Sequence, residues 1–441
     1  MNSYDHSSLP IDAEAVAALA ADGLRFELVD NSENGSFPVW LQSVVRGFFG
    51  ERMSPEVLAA RQKTAHLRRN SGVYDDTAAD AATPVATAAS WPSDLTIPGH
   101  STIPAWAISA ITVSPTHRRR GIARAMLEAE LRTARALGYP IAMLTVSEST
   151  IYSRWGFAPS AMAADWSIKT ARATWIGPQA SGRVHVVEAE HLRTIGLDLV
   201  DRVRLQTPGQ MSFSGVLWER MLGLTVGTES QAKKLRHLRY DDANGELQGF
   251  AVYSIREEDP PAQATLDLSY LVSATDDAYA GLWQHLLAMD LIGEIRAPDR
   301  SIDEPLRWQI ADYRSAYKSL ERDHLWTRIL DVPAALTARR YHAPGHLVFD
   351  VKDELGFAAG RFLVTISSDG TAIVGPLEGD IPDDADAVAL SVNELSAIYL
   401  GGVSPVLLHR AGRIEELTPG AAAAAELCFR SATTPWLSIW F

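Results

Sequence analysis

AWAISAITVSPTHRRRGIA, residues 105–123, contains the strongest structural signal in this chain. Its first part, Ala105–Val113, is short, apolar and rich in β-branched residues, which is typical of a buried strand. Apolar residues then recur every three or four positions over Ile122–Leu137, and this period predicts a helix that ends at Gly138. Ile141–Val146 is again short and apolar, and it predicts a second buried strand. Together these residues predict a strand–loop–helix–strand unit.

The loop between that strand and that helix is strongly basic and contains a glycine. Gly121 follows Arg118, Arg119 and Arg120, and a glycine lets the backbone approach a ligand closely. The free N–H groups of the helix's first turn and the positive end of its dipole add to the arginine charges. Such a loop is suited to binding a pyrophosphate. The alternative interpretation is a solvated basic turn ahead of an amphipathic helix.

These motifs resemble those of a known enzyme family. The sequence R-x-x-G-x-A at Arg118–Ala123, after a strand that ends in V-x-P, resembles the acyl-CoA loop of the GNAT N-acetyltransferases. A wider set of segments resembles the enhanced intracellular survival (Eis) family of actinobacteria. These segments are Val113–Gly121, Ser147-Glu148, Ile151–Phe157, Leu282-Trp283, Asp331–Leu336 and the chain end at Phe441. The resemblance covers essentially the whole chain, with its sharpest motifs in the first domain.

The resemblance implies an α+β fold of three domains. Residues 1–170 would form a GNAT acetyltransferase domain, residues 171–320 a second GNAT-like α/β domain, and residues 321–441 a sterol-carrier-protein-like α+β domain. The length of 441 residues agrees with about three domains. Family members acetylate amines with acetyl-CoA as cosubstrate and assemble as homohexamers, so the resemblance implies an acyltransferase of that kind.

The resemblance also assigns roles to individual residues. Tyr152 would be the general acid, and the carboxylate of the last residue, Phe441, would be the general base. Acetyl-CoA would contact the end of the first strand, the basic loop with the helix start, and the end of the next strand. The contacting residues would be Ile111, Thr112, Val113, Arg118, Arg119, Arg120, Gly121, Ile122, Ala123, Arg124, Ser147 and Glu148.

The chemistry of Tyr152 and Phe441 is compatible with those roles. Acetyl transfer needs an amine that has lost its proton and a thiolate that gains one. A tyrosine, with an ordinary pKa near 10, is suited to protonating a thiolate only where the neighbouring field helps. The chain end, PWLSIWF, has no polar tail, so we expect it to be buried. The alternatives are a core aromatic for Tyr152 and a terminal strand whose carboxylate lies at a sheet rim for Phe441.

Composition limits the partners of this chain. There are 40 Lys and Arg against 54 Asp and Glu, a net charge of −14, which argues against nucleic acid and favours cationic small-molecule amines. Cys428 is the single cysteine, so no intrachain disulfide or cysteine metal cluster is expected, and we propose no metal. No long apolar run and no signal peptide are found, so we expect a cytoplasmic protein with no membrane partner.

Other functional interpretations stay open from the sequence. The second domain has no R-x-x-G-x-A loop, so we expect it to supply scaffold and pocket wall. Phe37, Trp40 and Trp106 are candidate walls of an acceptor pocket, with core packing as the alternative. A protein lysine or peptide N-acetyltransferase would use the same machinery. A non-catalytic lipid-binding protein, built around the terminal domain, is the alternative from another class.

Further elements are predicted from periodicity and turn residues. Hairpins are expected at Asn244-Gly245 and Asp369-Gly370. The remaining predicted helices are Asp12–Ala21, Pro55–Arg69, His191–Val203, Ala278–Leu291, Asn393–Leu400 and Gly420–Arg430, and the remaining strands are Leu266–Val272, Leu325–Leu330 and His346–Val351.

Overall fold

The computed structural model describes residues 6–257 and 263–441. Its helices are α1 (Ala13–Ala21), α2 (Phe37–Gly47), α3 (Pro55–Gln62), α4 (Ile122–Ala136), α5 (Ser149–Tyr152), α6 (Ala189–Arg204), α7 (Gly215–Met221), α8 (Glu229–Ala232), α9 (Asp276–Leu287), α10 (Val332–Ala338), α11 (Val392–Ile398), α12 (Pro405–Arg410) and α13 (Ala421–Phe429). Its strands are β1 (Leu24–Leu28), β2 (Arg69–Asp75), β3 (Ala86–Ile97), β4 (Ser101–Val113), β5 (Ile141–Thr145), β6 (Ala158–Lys169), β7 (Arg183–Val187), β8 (Leu235–Asp241), β9 (Leu247–Arg256), β10 (Ala264–Ser273), β11 (Ile292–Arg300), β12 (Ala316–Ile329), β13 (Gly345–Lys352), β14 (Gly360–Ile366), β15 (Ala372–Pro376), β16 (Asp386–Ser391) and β17 (Ile414–Glu416).

The first unit is an antiparallel sheet with one parallel pair of strands, β4 and β5, at its end. Strands β1 to β4 pair antiparallel in chain order. Strand β5, reached through α4, pairs with β4 in parallel over Ala105–Ala107. Further along β4, Ala110 has φ +54° and lies at a shift of the β3–β4 register, which is a β-bulge. Beyond Ala107, therefore, the end of β4 is paired with β3 alone, and β4 and β5 separate.

The second unit repeats this arrangement and continues the same sheet. The order of the twelve strands is β1-β2-β3-β4-β5-β12-β6-β11-β10-β9-β8-β7. Strand β10 is parallel to β11 across α9, and β12 lies antiparallel between β5 and β6. Because β12 runs through residue 320, strands from both sides of the predicted second boundary share one sheet. The predicted domain boundaries stay predictions.

A buried charge pair fixes α4 to the first sheet. Arg69 on β2 forms an ion pair with Glu130 of α4, and both side chains are 1% exposed. The second oxygen of Glu130 accepts a 3.1 Å hydrogen bond from the indole of Trp106 on β4. Arg69 also donates to the carbonyls of Leu9 and Pro10. Glu130 thus ties the helix that follows the basic loop to both β2 and β4.

The third unit has a sheet of its own, in the order β15-β14-β13-β16-β17. Strand β13 is parallel to β16, and the other pairs are antiparallel. Helices α10 to α13 accompany this sheet, and Cys428 on α13 is a buried free thiol, as expected. The predicted α+β fold is confirmed: two units share one twelve-stranded sheet, and a third unit with a sheet of its own follows them.

Most predicted elements are present, with shifted ends. The strand–loop–helix–strand unit and both hairpins are confirmed. The helix predicted over Pro55–Arg69 is wrong in its second half, because α3 ends at Gln62 and Arg69 begins β2. The helix predicted to reach Leu291 ends at Leu287. Helix α2 carries Pro38 in its first turn, where a proline is tolerated, and it was not predicted.

Candidate active site

The basic loop presents an open helix N-terminus. Gly121 has φ +76° and is the residue before α4, so no side chain caps the helix's first N–H groups. A Cβ at this position would meet no atom within 4 Å, so the glycine is needed for its left-handed backbone and leaves free space. Arg119 is also left-handed, with φ +64°. The N–H groups of the first turn are thus left for an anion.

The three arginines of the loop differ in their partners. Arg120 donates a 3.0 Å hydrogen bond to the carbonyl of Asp22 and lies 3.9 Å from the carboxylate of Asp75. Arg118 and Arg119 are exposed, and neither has a side-chain partner within the described part of the chain. Arg120 therefore braces the loop, while the other two cations are free to meet phosphates. Of the residues that follow, Ile122 is buried, Ala123 is half-buried, and Arg124 is exposed beside Glu128.

The other predicted acetyl-CoA residues lie around the gap between β4 and β5. Ile111, Thr112 and Val113 form the end of β4, past its pairing with β5. Ser147 and Glu148 were expected on the next strand; this is wrong, because β5 ends at Thr145 and they form the exposed turn before α5. The turn still lies at the same end of the sheet as the basic loop, since β4 and β5 run parallel. The structure thus brings the predicted residues to the two sides of one gap.

Tyr152 is the last residue of α5, directly after that turn. It is 8% exposed, and its ring meets the ring of Phe157 edge-on at 6.4 Å. Burial, and then the negative charge of Glu148, raise the pKa of Tyr152 above its ordinary value. Its hydroxyl has no hydrogen-bond partner among the residues described by the structure. At neutral pH, the Tyr152 hydroxyl is therefore protonated and donates no hydrogen bond to a described residue.

The end of the chain reaches the same gap. The hydroxyl of Thr145, at the end of β5, donates a 2.9 Å hydrogen bond to the main-chain oxygen of Phe441. The Phe441 ring packs edge-on against Trp91 of β3 at 5.5 Å. The structure therefore brings the main-chain oxygen of Phe441 to the end of β5, and Tyr152 lies seven residues further along the chain.

The last residues are held in an extended path. Leu437 and Ile439 are 0% and 3% exposed and point into the core. The ring of His324 on β12 is fully buried, and its Nε2 bonds the carbonyl of Ile439 at 2.8 Å. Burial lowers the pKa of His324, so the ring is neutral and Nε2 carries the donated proton. The chain end is therefore fixed by the core and by β12 before it reaches β5.

The remaining indole groups of the tail bind the second unit. Trp436 donates a 2.8 Å hydrogen bond to the main-chain oxygen of Asp299, and Trp440 donates to its carboxylate at 3.2 Å. Asp299 lies on β11 with φ +52° and forms an ion pair with Arg322. The second unit thus contributes to placing the chain end of the third.

Within residues 171–257 and 263–320, the described part of the second unit, no uncapped basic loop like that of the first unit is found. Its corresponding helix, α9, is capped by Thr275 and begins with Asp276 and Asp277, whose charges would repel a phosphate. The space between the ends of β10 and β11 is a cavity of about 190 Å³. Trp436 lines it, as does Arg300, which pairs with Glu304. We therefore assign the acetyl-CoA-type geometry to the first unit.

Three other expectations concern walls and metals. Phe37, Trp40 and Trp106 are 6%, 3% and 0% exposed, so they pack in the core, and the interpretation as pocket walls is not supported. Across residues 6–257 and 263–441 no group of three or more metal-ligating side chains is found. In the same residues, every helix is too short or too polar to cross a bilayer.

Comparisons with known proteins agree with this geometry. An acetyltransferase (GNAT) domain family matches residues 31–160, a second such family matches residues 209–329, and a sterol carrier protein domain family matches residues 332–438. An uncharacterised N-acetyltransferase of Streptomyces avermitilis is 34% identical over 408 residues, covering 90% of this chain and 94% of that protein. N-acetyltransferase Eis of Mycobacterium tuberculosis is 31% identical over 328 residues, covering 73% of this chain and 76% of that protein. The chain belongs to the Eis family of GNAT N-acetyltransferases.

Structural similarity to the Eis family extends over nearly the whole molecule. The crystal structure of Eis1 from Mycobacterium abscessus superposes with a TM-score of 0.78 at 28% identity, covering 95% of this chain and all of that one. This chain is therefore an acyltransferase, and acetyl-CoA is the acyl donor used by GNAT acetyltransferases. Thr145, Trp91 and His324, which hold the chain end, were missed by sequence reasoning. No local motif marks them, because each acts through a residue distant in sequence.

Proposed function

We propose that this chain transfers the acetyl group of acetyl-CoA to an amine of a small molecule, with one active site per chain in the first unit. The hydrogen bond from Thr145 to the main-chain oxygen of Phe441 carries this proposal. This bond supports a Phe441 carboxylate at the gap between β4 and β5, near the turn that leads to Tyr152. A base and an acid are thereby available at one end of the parallel strands.

The proposed reaction is direct attack of the neutral amine on the thioester carbonyl. The carboxylate of Phe441 accepts the proton that the amine loses, directly or through a water molecule. The nitrogen–carbon bond forms, the carbon–sulfur bond breaks, and Tyr152 gives its proton to the departing thiolate. No acyl-cysteine intermediate is proposed, because Cys428 is the single cysteine and is buried in the third unit.

We propose that the basic loop binds the pyrophosphate of acetyl-CoA. Arg118 and Arg119 would meet its charges, and the uncapped N–H groups of α4 would donate to its oxygens. Ile111, Thr112 and Val113 on one side, and Ser147 and Glu148 on the other, would border the pantetheine arm. The space left by Gly121 supports this arrangement.

For the acceptor, we propose a cationic small-molecule amine such as an aminoglycoside or a polyamine. The net charge of −14 would attract such molecules and speed their encounter with the protein. A lysine side chain of a protein or peptide is the competing acceptor. Turnover should fall as salt rises, since charge attraction is screened over about 8–10 Å. If neutral amines were acetylated as fast as cationic ones, at a rate independent of salt, selection of the acceptor by charge would be contradicted.

We also propose a cytoplasmic homohexamer. Chains of charge −14 repel one another, so the contacts between subunits would have to be apolar or locally compensated. Light scattering at micromolar protein should give six times the mass of the chain. A monomeric mass would contradict the assembly and leave the enzyme assignment intact.

The proposed activity is tested by supplying acetyl-CoA with separate amines. Mass spectrometry should show products heavier by one acetyl group, together with an equal amount of free CoA. Release of CoA without an acetylated amine would be hydrolysis and would contradict the proposal.

A further inference from the structure

A cavity lies in the second unit where its two parallel strands separate. Strand β10 pairs with β11 over Ala264–Asp267, and a β-bulge follows between Leu268 and Tyr270. The first unit has the same arrangement, in which β4 leaves β5 and carries a bulge at Ala110. The gap of the second unit is the cavity of about 190 Å³, bordered on its other sides by α6 and the chain end. The proposed acetyl transfer gives this cavity no role.

The cavity has room for one small molecule with an apolar body. Apolar side chains of α6, α7, β10 and the tail line part of its wall, among them Val200, Met221, Leu271 and Trp436. A cavity of about 150 Å³ lined by apolar side chains holds benzene. The cavity of about 190 Å³ is therefore suited to a single ring that carries one small polar group.

Two charged side chains of the wall already have partners. Arg300 forms an ion pair with Glu304, which also accepts a hydrogen bond from the hydroxyl of Tyr279. Asp299 forms an ion pair with Arg322. Neither Arg300 nor Asp299 therefore needs a ligand to balance its charge.

Arg204, in the last turn of α6, differs from them. Its side chain lines the cavity and is 10% exposed, and its Nε donates a 2.5 Å hydrogen bond to Asp201. The Asp201 side chain is 61% exposed, so water screens much of its charge. The Nη1 and Nη2 of Arg204 donate to no residue within 6–257 and 263–441, and Nη1 is also buried. Donors left without an acceptor cost free energy, and a ligand in the cavity would supply one.

A second unpaired donor lies on the same wall. Gln210 is 5% exposed, and its Oε1 accepts a 2.9 Å hydrogen bond from the hydroxyl of Ser438. Its Nε2 donates to no residue in the part of the chain that the structure describes. Because Ser438 also lines the cavity, a ligand there would contact the second unit and the tail together.

We propose that this cavity binds a small carboxylic acid built on a single ring, and that Arg204 donates to its carboxylate. The planar guanidinium matches a carboxylate, and a charged pair of this kind is stronger than a neutral hydrogen bond. The gap concerned is not the one between β4 and β5, so this ligand is neither the acyl donor nor the acceptor. The cationic acceptor proposed above is therefore unaffected, and the inference does not depend on acetyl transfer.

Benzoate and benzamide are probes with the same ring and different polar groups. Calorimetry on the full chain should show benzoate binding once per chain. Benzamide should bind about 10-fold more weakly, because it lacks the negative charge. Saturating CoA should leave the affinity for benzoate unchanged, since CoA would occupy the first unit.

Variants then locate the probe in the cavity. Arg204→Met keeps the unbranched stem and removes the charge, so benzoate should bind about 10- to 100-fold more weakly and no better than benzamide. Val203→Phe fills the cavity, should abolish binding of both probes, and provides the test if Arg204→Met unfolds in thermal melts. Arg202→Met, exposed on the same helix and outside the cavity wall, is the matched control and should bind benzoate normally.

Three results would overturn this site. The first is no binding of benzoate to the unmodified protein, which would leave the cavity to water. The second is equal affinity for benzoate in Arg204→Met and Arg202→Met. The third is binding that Arg119→Met removes, since benzoate would then lie at the basic loop. None of these results bears on acetyl transfer, which the assays with acetyl-CoA and amines test separately.

Discussion

Thr145 and Phe441 are joined by a 2.9 Å hydrogen bond although 296 residues separate them in the chain. The donor is the hydroxyl at the end of β5, and the acceptor is the main-chain oxygen of Phe441, whose carboxylate is the proposed base. The last residue of the third unit is thereby fixed at the point where β4 and β5 of the first unit have ceased to pair. The third unit thus contributes directly to the candidate active site.

The position of the terminal carboxylate should matter more than the Phe441 side chain. Deleting Phe441 moves the carboxylate back by about 3.4 Å, and a C-terminal tag converts it to an amide. Either change should lower kcat/KM by about 10²–10⁴, the usual contribution of a positioned base. Steady-state kinetics on the unmodified, truncated and tagged proteins measure this effect. An N-terminally tagged protein serves as control, and equal kcat/KM in all four, with unchanged circular dichroism, would rule out a catalytic carboxylate.

Thr145 should act as a positioning residue for that carboxylate. Thr145→Val keeps the β-branched shape that suits a strand and removes the donor. We expect kcat to fall by about 10- to 100-fold, the effect of one hydrogen bond to a charged group, with little change in the KM for acetyl-CoA. Thr133→Val removes a comparable 2.8 Å hydroxyl bond, within α4, and should leave kcat unchanged. A parallel rise in the KM for acetyl-CoA would point instead to general damage of the gap.

Tyr152 should donate its proton up to high pH. Its pKa is raised by burial and by Glu148, so the protonated form persists above pH 10 and is lost only at still higher pH. Tyr152→Phe should lower kcat by about 10²–10⁴ at neutral pH. Glu148→Gln removes a charge that raises the pKa, so the alkaline fall in kcat should move to lower pH. Tyr139→Phe, in the same buried cluster, is the control, and similar rates for both Phe variants would refute the acid role.

Gly121 and Gly138 offer a matched pair for the acetyl-CoA loop. They flank α4 with φ of +76° and +81°, and a Cβ on either would meet nothing within 4 Å. Alanine at either position should therefore cost a similar backbone strain of about 1–2 kcal/mol. Gly121→Glu should abolish CoA binding in calorimetry because it adds negative charge where the pyrophosphate would lie, whereas Gly138→Glu should bind normally. Unchanged affinity in Gly121→Glu would remove the loop assignment.

The Arg69–Glu130 pair should be essential for the stability of the first unit. Glu130→Gln leaves the buried Arg69 cation without its counter-charge, and such a loss costs about 3–5 kcal/mol. The double variant Arg69→Met, Glu130→Met should be less destabilised than the sum of its single variants, since the two groups are in contact. Urea unfolding of the unmodified protein, Glu130→Gln, the two single Met variants and the double variant gives these free energies. Simple additivity would show that the pair is not coupled.

Local sequence patterns were sufficient to predict secondary structure where the deciding residues lie within one short segment. The alternation of apolar runs with Gly121 and Gly138 predicted β4, the loop, α4 and β5, because periodicity and positive-φ glycines act within a few residues. The hairpin turn at Asn244-Gly245 was predicted for the same reason. The predicted helix at α3 runs too far, because residues 63–69 have a composition typical of helices. In the structure Arg69 begins β2 and pairs with the buried Glu130.

The resemblance to the Eis family also pointed to Tyr152, through the segment Ile151–Phe157, and to Phe441 at the chain end; their roles stay predictions. The sequence could not show that Thr145 donates to the main-chain oxygen of Phe441 or that Arg68 stacks on Trp91. The first contact depends on how β12 enters the sheet between β5 and β6 and on how the tail crosses the second unit at Asp299. The second follows from the pairing of β2 with β3, in which Arg69 lies opposite Ser90. Packing of elements hundreds of residues apart leaves no periodic trace in a local window. The chemistry of the candidate site therefore follows from residue types, whereas its assembly from three units follows from long-range burial and hydrogen bonding.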